Sequence, residues 1–272
     1  MKQIYLPLLT YPDAAKESLL DNAVELATNL GAMLRATIID VAIPPITNPW
    51  PVLLDTDDMI RRAERTSRRE GELLARALKK RCDDANLASE IGSIVVEQPR
   101  ITDVAAEEAR LYDVTLAQSA GQFAPLAEAL IFGAGRPVIL YPERACSGRI
   151  DHVAIAWDGS RAAARAVADA NCFIEGANKA SIICAPQEKP IDLDRAGKLA
   201  SSLELRGMTA EVHVLQAQDR SIGEAIQSKA VELKADLLVM GGFGHSRLRE
   251  FVLGGVTADV LSNAKLPVLM SH

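Results

Sequence analysis

The feature that most constrains the fold is an alternation of strand-like and helical patterns that the sequence contains twice. Short apolar runs and segments of helical periodicity alternate five times up to Pro137–Tyr141, and the same order restarts at His152. Such alternation predicts a parallel sheet with helices on both faces. Because the two copies are offset by about 130 to 150 residues, each is as large as a domain and not a unit of a solenoid.

We therefore predict an α/β protein of two tandem domains, each a doubly wound, Rossmann-like sheet of five parallel strands. Residues 1–145 form the first predicted domain and residues 149–272 the second, and the short polar segment Glu143–Gly148 links them. A long helix is expected from about Asp57 to Ala85. It follows a proline-rich loop at residues 44–51, for which the sequence indicates no role.

The composition argues against several classes of function. The net charge of −6 has the wrong sign for non-specific binding of nucleic acid. No run reaches the roughly 18 apolar residues of a transmembrane helix. Because the N-terminal residues lack the features of a secretory signal, we expect a cytoplasmic protein. The cysteines form no CxxC pair, so we expect neither disulfides nor zinc; they are Cys82, Cys146, Cys172 and Cys184.

One local excess of positive charge lies within the long predicted helix. Five arginines are interleaved there with Glu64 and Glu70, namely Arg61, Arg62, Arg65, Arg68 and Arg69. Mixed charge of this kind is typical of a solvated, ion-paired helix face. It does not by itself indicate a nucleic acid partner.

Glycines are concentrated after one predicted strand of the second copy. The apolar run Leu237–Met240 leads into Gly241-Gly242-Phe243-Gly244, and a second glycine pair, Gly254-Gly255, comes before a helical pattern. Glycine is used where backbone approaches a ligand closely, and the N–H groups of a helix N-terminus suit a phosphate. In the same copy, Asp158-Gly159-Ser160 also follows a strand. Ligands of doubly wound sheets bind at this edge, beyond the carboxyl ends of the strands.

These features together resemble the universal stress protein family in its tandem, two-domain form. The nucleotide signature of that family is Gly, two residues, Gly, nine residues, Gly, then Ser or Thr, and Gly241, Gly244 and Gly254 have this spacing. The resemblance is strong over residues 150–272 and weak over residues 1–145. It implies a fold similar to that of the adenine nucleotide α-hydrolases and an adenine nucleotide, ATP with or without Mg²⁺, as the ligand.

The resemblance also implies a set of binding residues. Asp158 matches an acidic residue near the ribose and adenine, Ala185 matches a position whose backbone meets the adenine, and the glycines match the phosphate loop. The complete set of candidates is Asp158, Gly159, Ala185, Met240, Gly241, Gly244, His245, Gly254, Gly255, Val256 and Thr257. Two of them have simpler interpretations, Asp158 as an ordinary turn or N-cap residue and His245 as a solvated loop histidine.

One departure from the family signature weakens the expected site. Gly255 stands where nucleotide-binding members have Ser or Thr, so a hydroxyl donor is missing. The loss of one hydrogen bond costs on the order of 0.5–1.5 kcal/mol, which is roughly a three- to tenfold loss of affinity. Thr257, two residues later, is a candidate for partial compensation.

The first copy departs further and is expected to serve packing. It has no acidic residue directly after its first strand, and its glycines in the equivalent region are only Gly121, Gly133 and Gly135. The family commonly dimerises through its last strand. We therefore expect Pro137–Tyr141 and Pro267–Met270 to pair as an internal pseudo-dimer, while a homodimer of two chains stays open.

The functional expectation is a stress-response protein whose nucleotide occupancy is regulatory. The sequence shows no Walker-type Gly-Lys-Ser/Thr motif, no catalytic nucleophile–base pair and no spacing typical of metal ligands. The first alternative is a nucleotide-free protein-interaction module of the same fold. The second is an enzyme of the α-hydrolase type, which would need an acceptor substrate and a set of catalytic residues that the sequence does not show. The regulatory protein itself would hydrolyse ATP at most slowly.

Overall fold

The elements of the first half alternate as the sequence predicts. The computed structural model describes residues 3–45, 55–119, 121–186, 191–215, 220–242 and 255–272. The strands of the first half are β1 (Gln3–Leu9), β2 (Met33–Ala42), β3 (Ser89–Glu97), β4 (Val114–Gln118) and β5 (Val138–Tyr141). Its helices are α1 (Glu17–Leu30), α2 (Thr56–Asp84), α3 (Ile101–Ala109) and α4 (Ala124–Gly133). The long helix is thus confirmed, while most of the proline-rich loop lies outside the described residues.

The second half repeats the same order with one additional short helix. Its strands are β6 (His152–Ala156), β7 (Lys179–Cys184), β8 (Thr209–Val214), β9 (Leu237–Gly241) and β10 (Val268–Ser271). Its helices are α5 (Arg161–Asp169), α6 (Asn171–Ile174), α7 (Leu193–Glu204), α8 (Ile222–Glu232) and α9 (Gly255–Ser262). The largest difference between the halves is the helix after the second strand, which has 29 residues in α2 and 12 in α7.

The ten strands of the described residues form one sheet with the order β3-β2-β1-β4-β5-β10-β9-β6-β7-β8. Within each half the neighbouring strands are parallel, which confirms the predicted doubly wound α/β fold. The halves meet where β5 and β10 pair antiparallel, so the two five-stranded sets merge into a continuous sheet. At this seam Ile139 pairs with Leu269, and these two residues occupy equivalent positions in their halves.

The core lies on both faces of the sheet, as expected for parallel strands covered by helices on each side. Along β1, Ile4 and Leu6 belong to one buried cluster and Tyr5 belongs to the cluster on the opposite face. This alternation follows from the period of two in a strand. Among the described residues, no helix is both long and apolar enough to span a bilayer.

The segment that links the halves packs tightly against α1. The side chain of Asn22 donates to the carbonyl of Arg144 at 2.9 Å and accepts from the backbone N–H of Cys146 at 2.8 Å. A Cβ on Gly148 would lie 2.5 Å from the backbone of Glu25, so only glycine fits there without a shift. The division into domains at residues 145 and 149 stays a prediction.

Candidate functional site

Four of the candidate residues lie at the point where the strand order of the second half reverses. Asp158 follows β6, Ala185 follows β7, and Met240 and Gly241 end β9. Because β9, β6 and β7 are adjacent and parallel, their carboxyl ends share one edge of the sheet. From β6 the chain proceeds outward to β7 and β8, whereas β9 leads the other way to β10. Such a switch point is where doubly wound folds bind ligands.

The turn after β6 is held by its own side chains and presents a carboxylate to solvent. Asp158 Oδ1 accepts a hydrogen bond of 2.9 Å from the backbone N–H of Ser160, and Ser160 Oγ caps α5 by accepting from Ala163 at 3.1 Å. Gly159 has a φ of +75°. Asp158 is exposed, and its Oδ2 makes no hydrogen bond to the described residues. The structural turn interpretation therefore holds for one oxygen and leaves the other for a ligand.

Gly241 has a packing role that the sequence does not indicate. A Cβ at this position would lie 2.5 Å from the carbonyl carbon of Ala162, 2.6 Å from the nitrogen of Ala163 and 2.8 Å from the Cβ of Ala162. The first turn of α5 therefore lies directly against the end of β9. The absence of a side chain at Gly241 is explained by this helix–strand contact, and its expected role of admitting phosphates stays a prediction.

The last candidates lie at the start of α9. Gly255 begins this helix and is exposed, and no packing neighbour among the described residues lies within 4 Å of the place its Cβ would take. Thr257, the proposed substitute for the missing hydroxyl, is only 2% exposed and so differs in environment from Gly255, while Val256 is half-buried. Gly244, His245 and Gly254 lie outside the described residues.

The electrostatics of the edge agree with the position of Asp158. Burial raises the pKa of the Cys184 thiol at the end of β7 to about 11, and the negative charge of Asp158 adds to the rise. The charge of the Asp158 carboxylate therefore affects a group on the neighbouring strand β7. Trp157, directly before Asp158, has a buried indole Nε1 with no hydrogen-bond partner among the described residues. A buried N–H without a partner is uncommon, and sequence reasoning missed this donor.

The corresponding edge of the first half is filled by its own side chains. Because β1 and β6 begin at Gln3 and His152, Leu9 occupies the position of Asp158. By the same reasoning for β4 and β9, Gln118 occupies the position of Gly241. The Gln118 side chain is buried there and bonds to the backbone N–H of Lys16 at 3.3 Å and to Glu143 at 3.1 Å.

Helix α2 closes the first-half edge further. Ser67 of α2 is completely buried, and its hydroxyl lies 2.6 Å from that of Thr10 while it accepts from the backbone N–H of Val41 at 2.8 Å. Thr10 in turn donates to the carbonyl of Ile39 at 2.9 Å. These bonds tie α2 to the ends of β1 and β2. The first-half edge is therefore occupied by residues of the first half itself.

One Ser–His pair exists at the opposite end of the second half. His152 Nε2 lies 2.9 Å from Ser181 Oγ, and Ser181 is fully buried while His152 is 8% exposed. Burial is the main cause that lowers the pKa of His152. The pair lies near the amino ends of β6 and β7, away from the candidate edge, and we interpret it as a core hydrogen bond. No group of three potential metal ligands occurs in the part of the chain that the structure describes.

Comparisons with known proteins agree with this architecture. A sequence profile of the universal stress protein family matches residues 149–272. A universal stress protein of Synechocystis sp. is 37% identical over 82 residues, which are 30% of this chain and 28% of that protein. The matched part therefore spans under a third of this curated relative.

Two solved structures share the fold over nearly the full length. A universal stress protein from Archaeoglobus fulgidus has a TM-score of 0.66 at 17% identity, covering 99% of this chain and 97% of that chain. A putative universal stress protein from Pseudomonas aeruginosa has a TM-score of 0.54 at 13% identity, covering 100% of this chain and 93% of that chain. Residues 149–272 therefore match the universal stress protein family, and the whole chain shares the fold of these two solved structures.

Proposed function

We propose that the second half binds an adenine nucleotide, ATP, at the edge formed by β9, β6 and β7, and that occupancy of this site is regulatory. The observation that carries the proposal is the convergence of Asp158, Ala185 and Gly241 at the switch point. The first half supports it by contrast, because its equivalent edge is occupied by Gln118 and by α2.

The chemistry of the residues fits the parts of a nucleotide. A carboxylate such as that of Asp158 accepts hydrogen bonds from the vicinal hydroxyls of a ribose. The backbone after β7, at Ala185, offers the N–H and C=O groups that an adenine edge pairs with. Helix α9 begins at Gly255, and the first N–H groups of a helix are of the kind that suits phosphate oxygens. We assign no catalytic residue, so the role we propose is binding, in a cytoplasmic stress-response protein.

The proposal is tested by titration calorimetry with ATP·Mg on the wild type and on Asp158→Asn. Loss of hydrogen bonds to a charged acceptor costs about 1.5–3 kcal/mol, so the substitution should weaken binding roughly 10- to 150-fold. Asp194→Asn, an equally exposed acidic residue in the first turn of α7, is the charge-matched control and should bind like wild type. Absence of wild-type binding at millimolar ATP refutes the proposal.

A second candidate is a nucleotide-free interaction module of the same fold. Two observations favour it, the absence of a side-chain hydroxyl at Gly255 and the packing role of Gly241, which needs no ligand to explain the glycine. This candidate predicts a stably folded wild type without a calorimetric response to ATP. Substitution of Gly255 by Ser separates the two, because it restores the signature and should increase affinity about three- to tenfold only if the site binds nucleotide.

A further inference from the structure

Helix α4 of the first half and the last residue of the sequence meet at Gly242, next to the candidate site. The His272 ring packs against the Phe132 ring of α4 with centroids 5.3 Å apart and an angle of 77° between the planes. His272 Nδ1 lies 3.3 Å from the carbonyl oxygen of Gly242. A Cβ on Gly242 would lie 3.5 Å from Cγ2 of Ile131, also in α4. We call Ile131, Phe132 and His272 the α4–His272 brace.

The equivalent backbone of the first half is held in a different way. Ser119 occupies the position of Gly242, and both its backbone N–H and its hydroxyl donate to the carbonyl of Tyr141, at 2.9 and 3.0 Å. The backbone N–H of Gly242 likewise donates to the carbonyl of Ser271, at 2.7 Å, but Gly242 has no side chain to add a second bond to that carbonyl. In the second half, the contacts of the brace therefore hold the backbone at a position where the first half uses the hydroxyl of Ser119.

The brace acts on the backbone at the exit of β9. Gly241 is fixed from one side by the first turn of α5, and Gly242 is fixed from the seam between the halves. Any change in the position of Gly242 alters where the chain leaves the sheet beside Asp158. A displacement of about 1 Å is enough to impair a positioned site.

We propose that the α4–His272 brace positions Gly242 and thereby makes the nucleotide affinity of the second half depend on the first half. The proposal rests on the proposed nucleotide site of the second half and adds a regulatory role for the first half, to which no such site is assigned. Brace and nucleotide both favour the same backbone position, so their effects are reciprocal. Nucleotide binding should stabilise the contact between His272 and α4 to the same extent that the contact increases affinity.

The test uses variants that separate the ring contact of His272 with Phe132 from its hydrogen bond to Gly242. His272→Phe retains a ring against Phe132 and removes the N–H that bonds to the Gly242 carbonyl, whereas Phe132→Leu removes the ring contact. Glu128→Gln, on the same helix and without a hydrogen bond or ion pair to the described residues, is the control. The full chain is used throughout, and thermal unfolding verifies that each variant is folded.

Two readouts decide the proposal. Hydrogen exchange of the Gly242 amide, measured without nucleotide, should accelerate about three- to tenfold in His272→Phe and in Phe132→Leu, the range for the loss of one weak contact. Titration with ATP·Mg should show a Kd larger by a similar factor, while Glu128→Gln matches wild type in both. Unchanged exchange in both brace variants overturns the proposal, and faster exchange with an unchanged Kd overturns the coupling. Absence of ATP binding in wild type refutes the nucleotide site instead, and exchange alone then decides whether the brace positions Gly242.

Discussion

Two adjacent glycines at the end of β9 should respond in opposite ways to the same substitution. Gly241→Ala places a methyl group 2.5 Å from backbone carbon of Ala162, where ordinary contact needs about 3.5 Å. The first turn of α5 must therefore move by roughly 1 Å. Overpacking of this kind costs about 1–3 kcal/mol, and the melting temperature of a protein of this size falls by roughly 2–4 °C for each kcal/mol.

Gly242→Ala is the matched control because the described residues around it leave room for a methyl group. Its methyl group would lie 3.5 Å from Ile131 and 3.7 Å from the Cβ of His272, which are ordinary van der Waals distances, and φ of Gly242 is outside the left-handed region. Removing backbone freedom from the unfolded chain then stabilises by about 0.4–1 kcal/mol. We expect this variant to be as stable as wild type or slightly more stable.

Urea unfolding followed by circular dichroism measures both effects. The reasoning requires Gly241→Ala to lose free energy of unfolding while Gly242→Ala does not. If Gly241→Ala instead keeps wild-type stability and loses ATP affinity, the glycine serves the ligand and not α5, and our explanation of Gly241 is wrong. Equal destabilisation of both variants would refute the steric argument as well.

Three further predictions concern buried groups. Ser67→Ala removes the buried hydroxyl that ties α2 to the first-half strand ends and should lower the free energy of unfolding by about 1–3 kcal/mol. Thr66→Ala, at the exposed neighbour, should change it little. Equal free energies of unfolding for the two variants in urea titrations would contradict the role of Ser67 at that edge. With its pKa raised to about 11, the Cys184 thiol should be only about 0.1% thiolate at pH 8, so iodoacetamide should modify it in urea and not in the folded protein; modification of the folded chain at the rate of a free thiol would refute its burial. The pKa of His152 is lowered in the folded state, so its neutral ring stabilises the fold above the unfolded-state pKa of about 6.5, and this contribution is lost as the pH falls below that value. Urea titrations from pH 8 to 5 should therefore show that the free energy of unfolding depends less on pH in His152→Gln than in wild type. The same pH dependence in both proteins would contradict the assignment.

Much of the fold could be predicted because the strands of a parallel sheet carry a continuous apolar signal. The run Leu237–Met240 and the closing run Pro137–Tyr141 are of this kind, and both become buried strands. The periodicity of two and 3.6 residues is a local property, so it survives in the sequence. The strand order within each half and the antiparallel direction of the β5–β10 pairing depend on contacts between distant residues, and neither was predicted from the sequence.

The sequence predicts which residues lie at the candidate site, but it does not show which contacts require those residue types there. The glycine spacing locates Gly241, but the approach of α5 that requires a glycine there depends on a contact between residues far apart in the sequence. In the same way, the sequence shows a long helix α2 and cannot show that Ser67 meets Thr10. Trp157 and His272 carry no pattern of their own, because their significance comes from what surrounds the indole and imidazole nitrogens after folding.

The antiparallel seam between β5 and β10 has a consequence for how the two halves assemble. When two separate chains pair through such strands, dilution separates them, and the fraction assembled follows the protein concentration. Here one polypeptide carries both strands, so each half meets the other at an effective concentration fixed by the short linking segment. Assembly of the seam is therefore independent of how much protein is present. Since both strands already have neighbours on each side, the chain leaves β3 and β8 as the outer strands of its sheet.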